Sequence, residues 1–465
     1  MTLQSDIAIL GGGPGGYVAA LRAAQLGAQV VLVEEKAVGG VCLNVGCIPT
    51  KALLRSAEVY RTFLRAEAFG LRLEGGVTPD WAAIQSRKES IVQQLVGGVE
   101  TLLAKAGVHV MRGRGRFMAP RVVEVMTADG VQRVEAKHVV VATGSRPVEL
   151  PLRGMDLPGV LDSTGALGLE ALPRRLLVIG GGVVGVEFAD MFNAFGVQVT
   201  VVEMLDRLLP QMDADLGAAL AWTLEQRGVG LYLSSQVTGV DAVAGGLRVT
   251  VATQTGEEEI EADRVLVAVG RRPNVEGLGL EDAGVRYDRS GIPVDAQMRT
   301  NVADIYAVGD VTGRALLAHV AMRGGEVAVE NALGETVIFD AKTAPWCVYT
   351  EPEVASVGMS EGQAREAGYD VQVGRFPLTA NGKALTYGES EGFVKVVSEG
   401  HFGEVLGLHI VAPHASDMIH EGGVALALEA TVDELVTTIH AHPTQGEAVR
   451  EAALAVHDRA LHLPR

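Results

Sequence analysis

Residues 6–16, DIAILGGGPGG, read as a short apolar strand running straight into a glycine turn. An Ala/Leu-rich segment follows as far as Gly27, and a second apolar run, QVVLVEE, occupies 29–35. The order is strand, glycine turn, helix, strand. It returns 169 residues further on, with LLVIG at 176–180, GGVVG at 181–185, Val184, Phe188, Phe192 and Phe195 at helical spacing, and VQVTVVE at 197–203. In each copy the strand-ending glutamate lies 18 positions after the last turn glycine, so the two units have equal length.

One GxGxxG alone says little in a chain with 58 glycines among 465 residues, about one in eight against a usual 7%. Context makes the two copies specific, because each follows a strand, opens a helix and is answered by an acidic residue ending the next strand. Gly11 and Gly180 permit the tight turn, Gly13 and Gly182 let backbone approach a pyrophosphate, and Gly16 and Gly185 allow close helix packing. The helix N-terminus offers N–H donors and a positive dipole end to the anion. Glu34 and Glu203 are placed to accept ribose hydroxyls, and a carboxylate at Glu203 repels a 2′-phosphate, favouring NAD over NADP. Arg207, four residues on, reads as a solvated helix arginine.

Two further strands end in glycine and then basic residues, VVVATGSRP at 139–147 with Gly144 and VLVAVGRRPN at 265–274 with Gly270. In DIYAVGDV at 304–311, Asp310 follows a strand and a glycine, where a carboxylate can meet the sugar-like chain of a flavin. The expected fold is therefore α/β, with two Rossmann-like dinucleotide-binding domains. From about 345 the texture changes to strand runs such as FVKVV and LGLHIV followed by a helix around 415–430, an α+β C-terminal region. A proline-bearing stretch from Pro147 to Pro173, a second crossing near Gly270–Gly277 and the change of texture at about 345 give the domains 1–148, 149–272, 273–343 and 344–465.

The formal charge of −18 disfavours nucleic acid as a partner. No apolar run approaches the length of a membrane span, and the chain start lacks a basic segment ahead of its apolar run, so the sequence reads as cytoplasmic. Three cysteines are too few for a disulfide scaffold, yet Cys42 and Cys47 lie five apart in GGVCLNVGCIPTKALL, 39–54. A zinc site, two inert thiols and a redox-active pair are the alternatives. Zinc wants about four ligands and only one other cysteine exists, so the redox pair is favoured and no metal is expected. Such a pair needs a base for an incoming thiol. In HAHPTQGE, 440–447, His442 precedes a proline and Glu447 is near enough to orient its ring, the base-plus-carboxylate logic of triads. His440 is the weaker candidate, and Cys347 reads as a buried strand residue without a role.

Taken together, GGGPGGYVAALRAAQLG, CLNVGCIPTKALL, VATGSRP, GGGVVGVE, VAVGRRPN, DIYAVGDV, LLAHVA, YTEPEVASVG and HAHPTQGEAVREA span nearly the whole chain in order. In these segments the sequence resembles the dihydrolipoamide dehydrogenases, flavin-dependent pyridine nucleotide-disulfide oxidoreductases that serve 2-oxoacid dehydrogenase complexes. CLNVGCIP is closer to the lipoamide enzymes than to glutathione or mercuric reductases, the alternative reading. The resemblance implies FAD at the first turn and NAD at the second, Cys42 as the thiol meeting substrate, Cys47 as the thiol facing the flavin, His442 as base and Glu447 as its partner. It also implies that Lys51 and Glu187 pair near the flavin and that residues 344–465 are a dimerisation domain. In the implied homodimer His442 and Glu447 reach the other subunit's disulfide, and the partners are a dihydrolipoyl domain and an acyltransferase subunit. The chain departs from the family at Val320, where lysine is usual, and at Gln445 and Gly446, which replace leucine and serine or alanine.

Overall fold

The apolar runs beside the two glycine turns become central strands of two sheets, parallel around those strands. A computed structural model describes residues 2–464. They divide into two compact units, one built from residues up to Ala52 with Ala83–Val148 and Gly270–Ala341, the other from Leu53–Ala82, Glu149–Val269 and residues from Lys342 on.

In the first unit, strand Thr2–Leu10 lies between Val30–Glu34 and Gly130–Val141, all parallel. His109–Arg112 extends one side, and Ile305–Ala307 pairs parallel with the end of Gly130–Val141. Leu10 stands beside both Val33 and Val141, and Val141 beside Ala307, so these strands finish level. The loops leaving them therefore share one sheet edge, the carboxyl edge where open α/β sheets bind ligands. Ile7, Ala8 and Ile9 are all at 0% exposure, as expected for a strand covered on both faces. Helices Pro14–Gln25 and Ala318–Ala332 pack together, and Gly325 is needed for it: a Cβ there would stand 2.4 Å from the Gly15 carbonyl oxygen. An antiparallel arm, Arg114–Ala119 and Val122–Thr127, pairs with the first half of Gly130–Val141.

The second unit holds a parallel sheet in the order Gly230–Tyr232, Gln198–Val202, Arg175–Ile179, Arg264–Val267, Val160–Leu161. Helix Val183–Ala194 follows the second turn, with Phe188 and Phe192 fully buried and Val184, its second residue, exposed. A three-stranded antiparallel sheet, Gln236–Val243, Gly246–Thr253 and Gly256–Ala262, is inserted before Arg264–Val267. The C-terminal region forms a five-stranded antiparallel sheet in the order Trp346–Val348, Glu353–Gly358, Val405–Ala412, Phe393–Glu399, Val371–Pro377. The single helix expected around 415–430 is two, Ala415–Met418 and His420–Ala427.

Candidate active site

Both glycine turns are built to the same plan. Gly11 has φ +103°, and a Cβ on Gly16 would fall 1.8 Å from the Gly11 carbonyl oxygen, so neither position accepts a side chain. The second turn repeats this with Gly180 at φ +109° and 1.9 Å from a Gly185 Cβ to the Gly180 oxygen. Gly13 and Gly182 differ in kind. A Cβ on Gly182 would meet nothing within 4 Å, and on Gly13 only Gly40 Cα at 3.9 Å. These two cap helices Pro14–Gln25 and Val183–Ala194 without any side-chain hydrogen bond to the helix N-terminus. Packing explains the outer glycines; the open middle position is room for a ligand. An open helix N-terminus that no side chain caps is chemically suited to a pyrophosphate.

The acidic residues follow suit. Glu34 accepts the Gly12 N–H at 2.7 Å and the Lys36 N–H at 2.7 Å. Glu203 accepts the Gly181 N–H at 2.6 Å and the Leu205 N–H at 2.8 Å. Each carboxylate is thereby fixed at the end of its strand beside its glycine turn.

In the first unit the cysteine segment is attached to this turn. The Gly39 N–H donates to the Gly12 carbonyl at 2.7 Å, and a Cβ on Gly40 would stand 2.6 Å from Gly13 Cα. The segment forms two helices, Gly40–Val45 carrying Cys42 and Cys47–Leu64 starting at the second cysteine. Asn44 braces the first through the carbonyls of Val38, 3.1 Å, and Gly40, 2.9 Å. Both cysteines are half-buried thiols in hydrogen-bonding contact. That contact and burial push the Cys42 thiol far above its ordinary range, while the Lys51 ammonium pulls the other way. A pair sharing one hydrogen bond in this way gives up one proton far more easily than two.

Asp310 leaves the same sheet edge after Ile305–Ala307. Ser145 Oγ donates to its carboxylate at 2.5 Å, and Arg271 Nε, 4.0 Å from it, donates to Ser145 Oγ at 2.7 Å. Burial raises the Asp310 carboxyl although Ser145 and Arg271 oppose it. Ser145 and Arg271 were missed in the sequence, yet each directly follows a glycine that was not, Gly144 and Gly270. The two segments pair antiparallel, Arg271 opposite Pro147 and Pro273 opposite Ser145. Asn274 N–H donates to the Gly144 carbonyl at 2.9 Å and Val148 N–H to the Gly270 carbonyl at 3.1 Å, closing both ends of the pair.

Glu187, His442 and Glu447 belong to the second unit. Glu187, on the helix after the second turn, is 3% exposed and accepts the Tyr349 N–H at 3.0 Å. One turn later Asp190 takes Arg61 at 2.7 Å and Arg227 at 3.0 Å. Lys51 lies in the first unit. His442 Nδ1 is 2.9 Å from Glu447 Oε1, and Glu447 Oε2 accepts the Thr444 N–H at 2.8 Å. Burial alone would raise the Glu447 carboxyl, but the Thr444 N–H and the His442 ring together hold it below its ordinary value. The imidazole is 81% exposed, so the ring is oriented from behind with Nε2 left toward solvent. His440 is held instead by Glu421 at 2.9 Å and the Thr438 carbonyl at 3.0 Å. The loop between base and carboxylate is packed: Gln445 is 6% exposed and Asn381 holds the Thr444 carbonyl at 3.1 Å. Gln445 Nε2 is buried with no hydrogen-bond partner among the described residues. Among the described residues no group of three or more His, Cys, Asp or Glu could hold a metal ion, and no helix is long and apolar enough to cross a membrane.

Two dinucleotide turns and a cysteine pair define a class. Residues 5–325 match the pyridine nucleotide-disulphide oxidoreductases and residues 344–453 the dimerisation domain of the same proteins, so the chain belongs to that family. It is an oxidoreductase that uses FAD and NAD(H), and its dimerisation domain supports a homodimer. Among its relatives, it is 42% identical to a dihydrolipoyl dehydrogenase of Bacillus subtilis over 99% of this chain and 100% of that one. It is 45% identical to a dihydrolipoyl dehydrogenase of Thermus scotoductus, with 98% of each covered. Among solved structures it resembles LpdA from Mycobacterium tuberculosis, with TM-score 0.90, 33% identity, 97% of this chain and 99% of that one covered. It also resembles the flavoprotein disulfide reductase RclA from Escherichia coli in its Cu(II) complex, with TM-score 0.87, 29% identity and the same coverage.

Proposed function

We propose that the protein is a dihydrolipoyl dehydrogenase that oxidises dihydrolipoyl groups to the lipoyl disulfide and reduces NAD+, as a component of 2-oxoacid dehydrogenase complexes. The observation that carries this reading is the Cys42–Cys47 thiol pair held against the first dinucleotide turn, in a chain with over 40% identity to dihydrolipoyl dehydrogenases along its whole length. Gly11, Gly13, Gly16, Glu34, Lys51, Gly144, Glu187, Gly270 and Asp310 are the residues that would serve FAD; Gly180, Gly182, Gly185 and Glu203 would serve NAD. When bound, the flavin supplies the two-electron passage from dithiol to nicotinamide.

The chain's own residues then have the following work. His442 Nε2 takes the proton of one dihydrolipoyl thiol while Glu447 steadies the imidazolium through Nδ1. The substrate thiolate attacks Cys42 Sγ of the oxidised pair, the Cys42–Cys47 bond breaks, and Cys47 leaves as a thiolate. The substrate's second thiol then attacks its own sulfur bonded to Cys42, its proton passing to the departing Cys42 sulfur, so that lipoyl disulfide is released, Cys42 is left as a thiol, Cys47 as a thiolate and the first proton stays on His442. The position of Cys47 at the start of an 18-residue helix favours an anionic sulfur there. Raising of the Cys42 thiol keeps the pair's remaining proton on Cys42.

In this reading residues 1–148 and 273–343 form the FAD-binding part, 149–272 the NAD-binding domain and 344–465 the interface domain. His442 and Glu447 act on the disulfide of the other subunit, and the acyltransferase and dihydrolipoyl domain are the partners. A cytoplasmic location accords with a reversible, half-buried cysteine pair. The test is NADH-linked turnover of lipoamide against glutathione disulfide. Lipoamide is expected to be the far better substrate, and faster turnover of glutathione disulfide overturns the assignment in favour of another disulfide reductase.

A further inference from the structure

The second dinucleotide turn is held from two directions, and the second involves a buried lysine that no sequence motif marks. From Glu203 the chain runs through residues 204–212 to Asp213, the N-cap of helix Ala214–Gln226. At its near end this segment is pinned to the turn: Leu205 N–H donates to Glu203 and Leu209 N–H to the Gly181 carbonyl, 3.0 Å. Leu208 and Leu209 are buried, and Gly217 gives way to them, since a Cβ there would stand 2.2 Å from the Leu208 carbonyl oxygen. Met204 and Leu205 in between are exposed at 66% and 44%.

At the far end, Lys395 in strand Phe393–Glu399 is 3% exposed and meets three carboxylates, Asp213 at 3.0 Å, Asp215 at 2.9 Å and Glu361 at 2.9 Å. Asp213 also accepts the Asp215 N–H at 3.1 Å and the Glu361 N–H at 3.0 Å, so it ties together the starts of helices Ala214–Gln226 and Glu361–Glu366. The peripheral charges are met by Arg365 on Glu361 at 2.9 Å and Arg375 at 3.9 Å from Asp215. His409, cross-strand from Lys395, is fully buried between the Ser356 hydroxyl and the Met359 carbonyl and adds no charge, because burial lowers its affinity for a second proton. Lys395 is thus the one buried cation at the centre of the cluster. A buried ion pair of this kind adds little net stability against an apolar replacement; what it supplies is fixed geometry.

We infer that Lys395 is a positioning residue for NAD(H): through Asp213 it holds residues 204–212 against the second glycine turn and so sets the affinity of that site for the dinucleotide. This rests on the reading of that turn as the NAD site. The test compares Lys395→Met, Asp213→Asn and Glu203→Ala holoenzymes by direct NADH binding, by the Michaelis constants for NAD+ and dihydrolipoamide, and by kcat. Asparagine still caps a helix, so Asp213→Asn carries the test if the lysine variant fails to fold. In the Lys395 and Asp213 variants the NADH dissociation constant and the NAD+ Michaelis constant should rise together by about fivefold, with kcat and the dihydrolipoamide constant within about twofold. Unchanged NADH binding in both, with Glu203→Ala weakened, overturns the inference and leaves the site standing. A fall in kcat alone also overturns it, as the mark of a merely structural role. Unchanged binding in Glu203→Ala overturns the site reading, and the inference with it.

Discussion

Asp310 is a half-buried carboxylate at the carboxyl edge of the first sheet, among the residues proposed to hold FAD. Burial raises its carboxyl above the ordinary 3.8, against the pull of Ser145 and Arg271. A raised folded-state value means that the folded chain holds this proton more tightly than the unfolded one. The group's contribution to stability is therefore complete below pH 3.8 and is lost as pH rises through the raised value. Ionising this carboxyl is therefore a cost to the apoprotein, offset when hydroxyl donors bind to it. Asp310→Asn should leave the FAD-free protein at least as resistant to heat at pH 7 as the unaltered chain. It should also weaken FAD binding about tenfold or more, the value of a charged hydrogen bond. Melting curves of the apoprotein and flavin retention on dialysis check both halves; full retention would remove Asp310 from the site. Ser145 and Arg271 escaped notice in the sequence because their partner lies far along the chain, 165 residues from Ser145. Spacing carries no trace of a contact at that range, even though the glycines next to them did mark the turns.

At the scale of elements, the two glycine turns separate fold from function within six residues. Gly185→Ala drives a Cβ to 1.9 Å from the Gly180 oxygen, a clash with backbone that cannot relax locally, whereas Gly182→Ala adds a methyl to open space at an ordinary φ of −76°. The expected result is a melting temperature lowered by several degrees in the first, and one unchanged in the second but with NADH binding weakened. Calorimetry with NADH titration distinguishes them, and unimpaired NADH binding in Gly182→Ala would show that the open position does not face the pyrophosphate. These turns were legible because strand period, glycine spacing and acidic terminus are all local. So was the bend at the cysteines, where Gly46 separates two helices. The antiparallel pairing of 145–147 with 271–273 was not, since three-residue strands carry too few alternations to show a period. The split of the helix expected over 415–430 was equally invisible. The residue between the two helices is Ile419, neither glycine nor proline, so nothing in the sequence marks the break.

For the whole molecule, the long-range polar contacts are what the sequence conceals most. Asp190 gathers Arg61 from 129 residues away and the Glu351 N–H from 161 away, and Lys395 reaches Asp213 across 182. Each joins segments that sequence reading places in different domains, and no local spacing marks the pairing. The base is a different case: His442 and Glu447 were legible as a local pair, but which disulfide they serve is a property of the dimer. The exposure of His442 on the dimerisation domain, with its ring held at Nδ1 by Glu447, suits a base whose thiol partner comes from another chain. The decisive experiment uses two inactive variants, Cys47→Ser and His442→Gln, co-expressed with different tags so that the mixed dimer is isolated through both. If His442 serves the other subunit, the mixed dimer has one site with both cysteines and a histidine, and one site with neither intact. Its dihydrolipoamide turnover should then be about half that of the unaltered dimer, as two-fold symmetry requires. If each histidine serves its own subunit, both sites lack one component and the mixed dimer is as inactive as its parents.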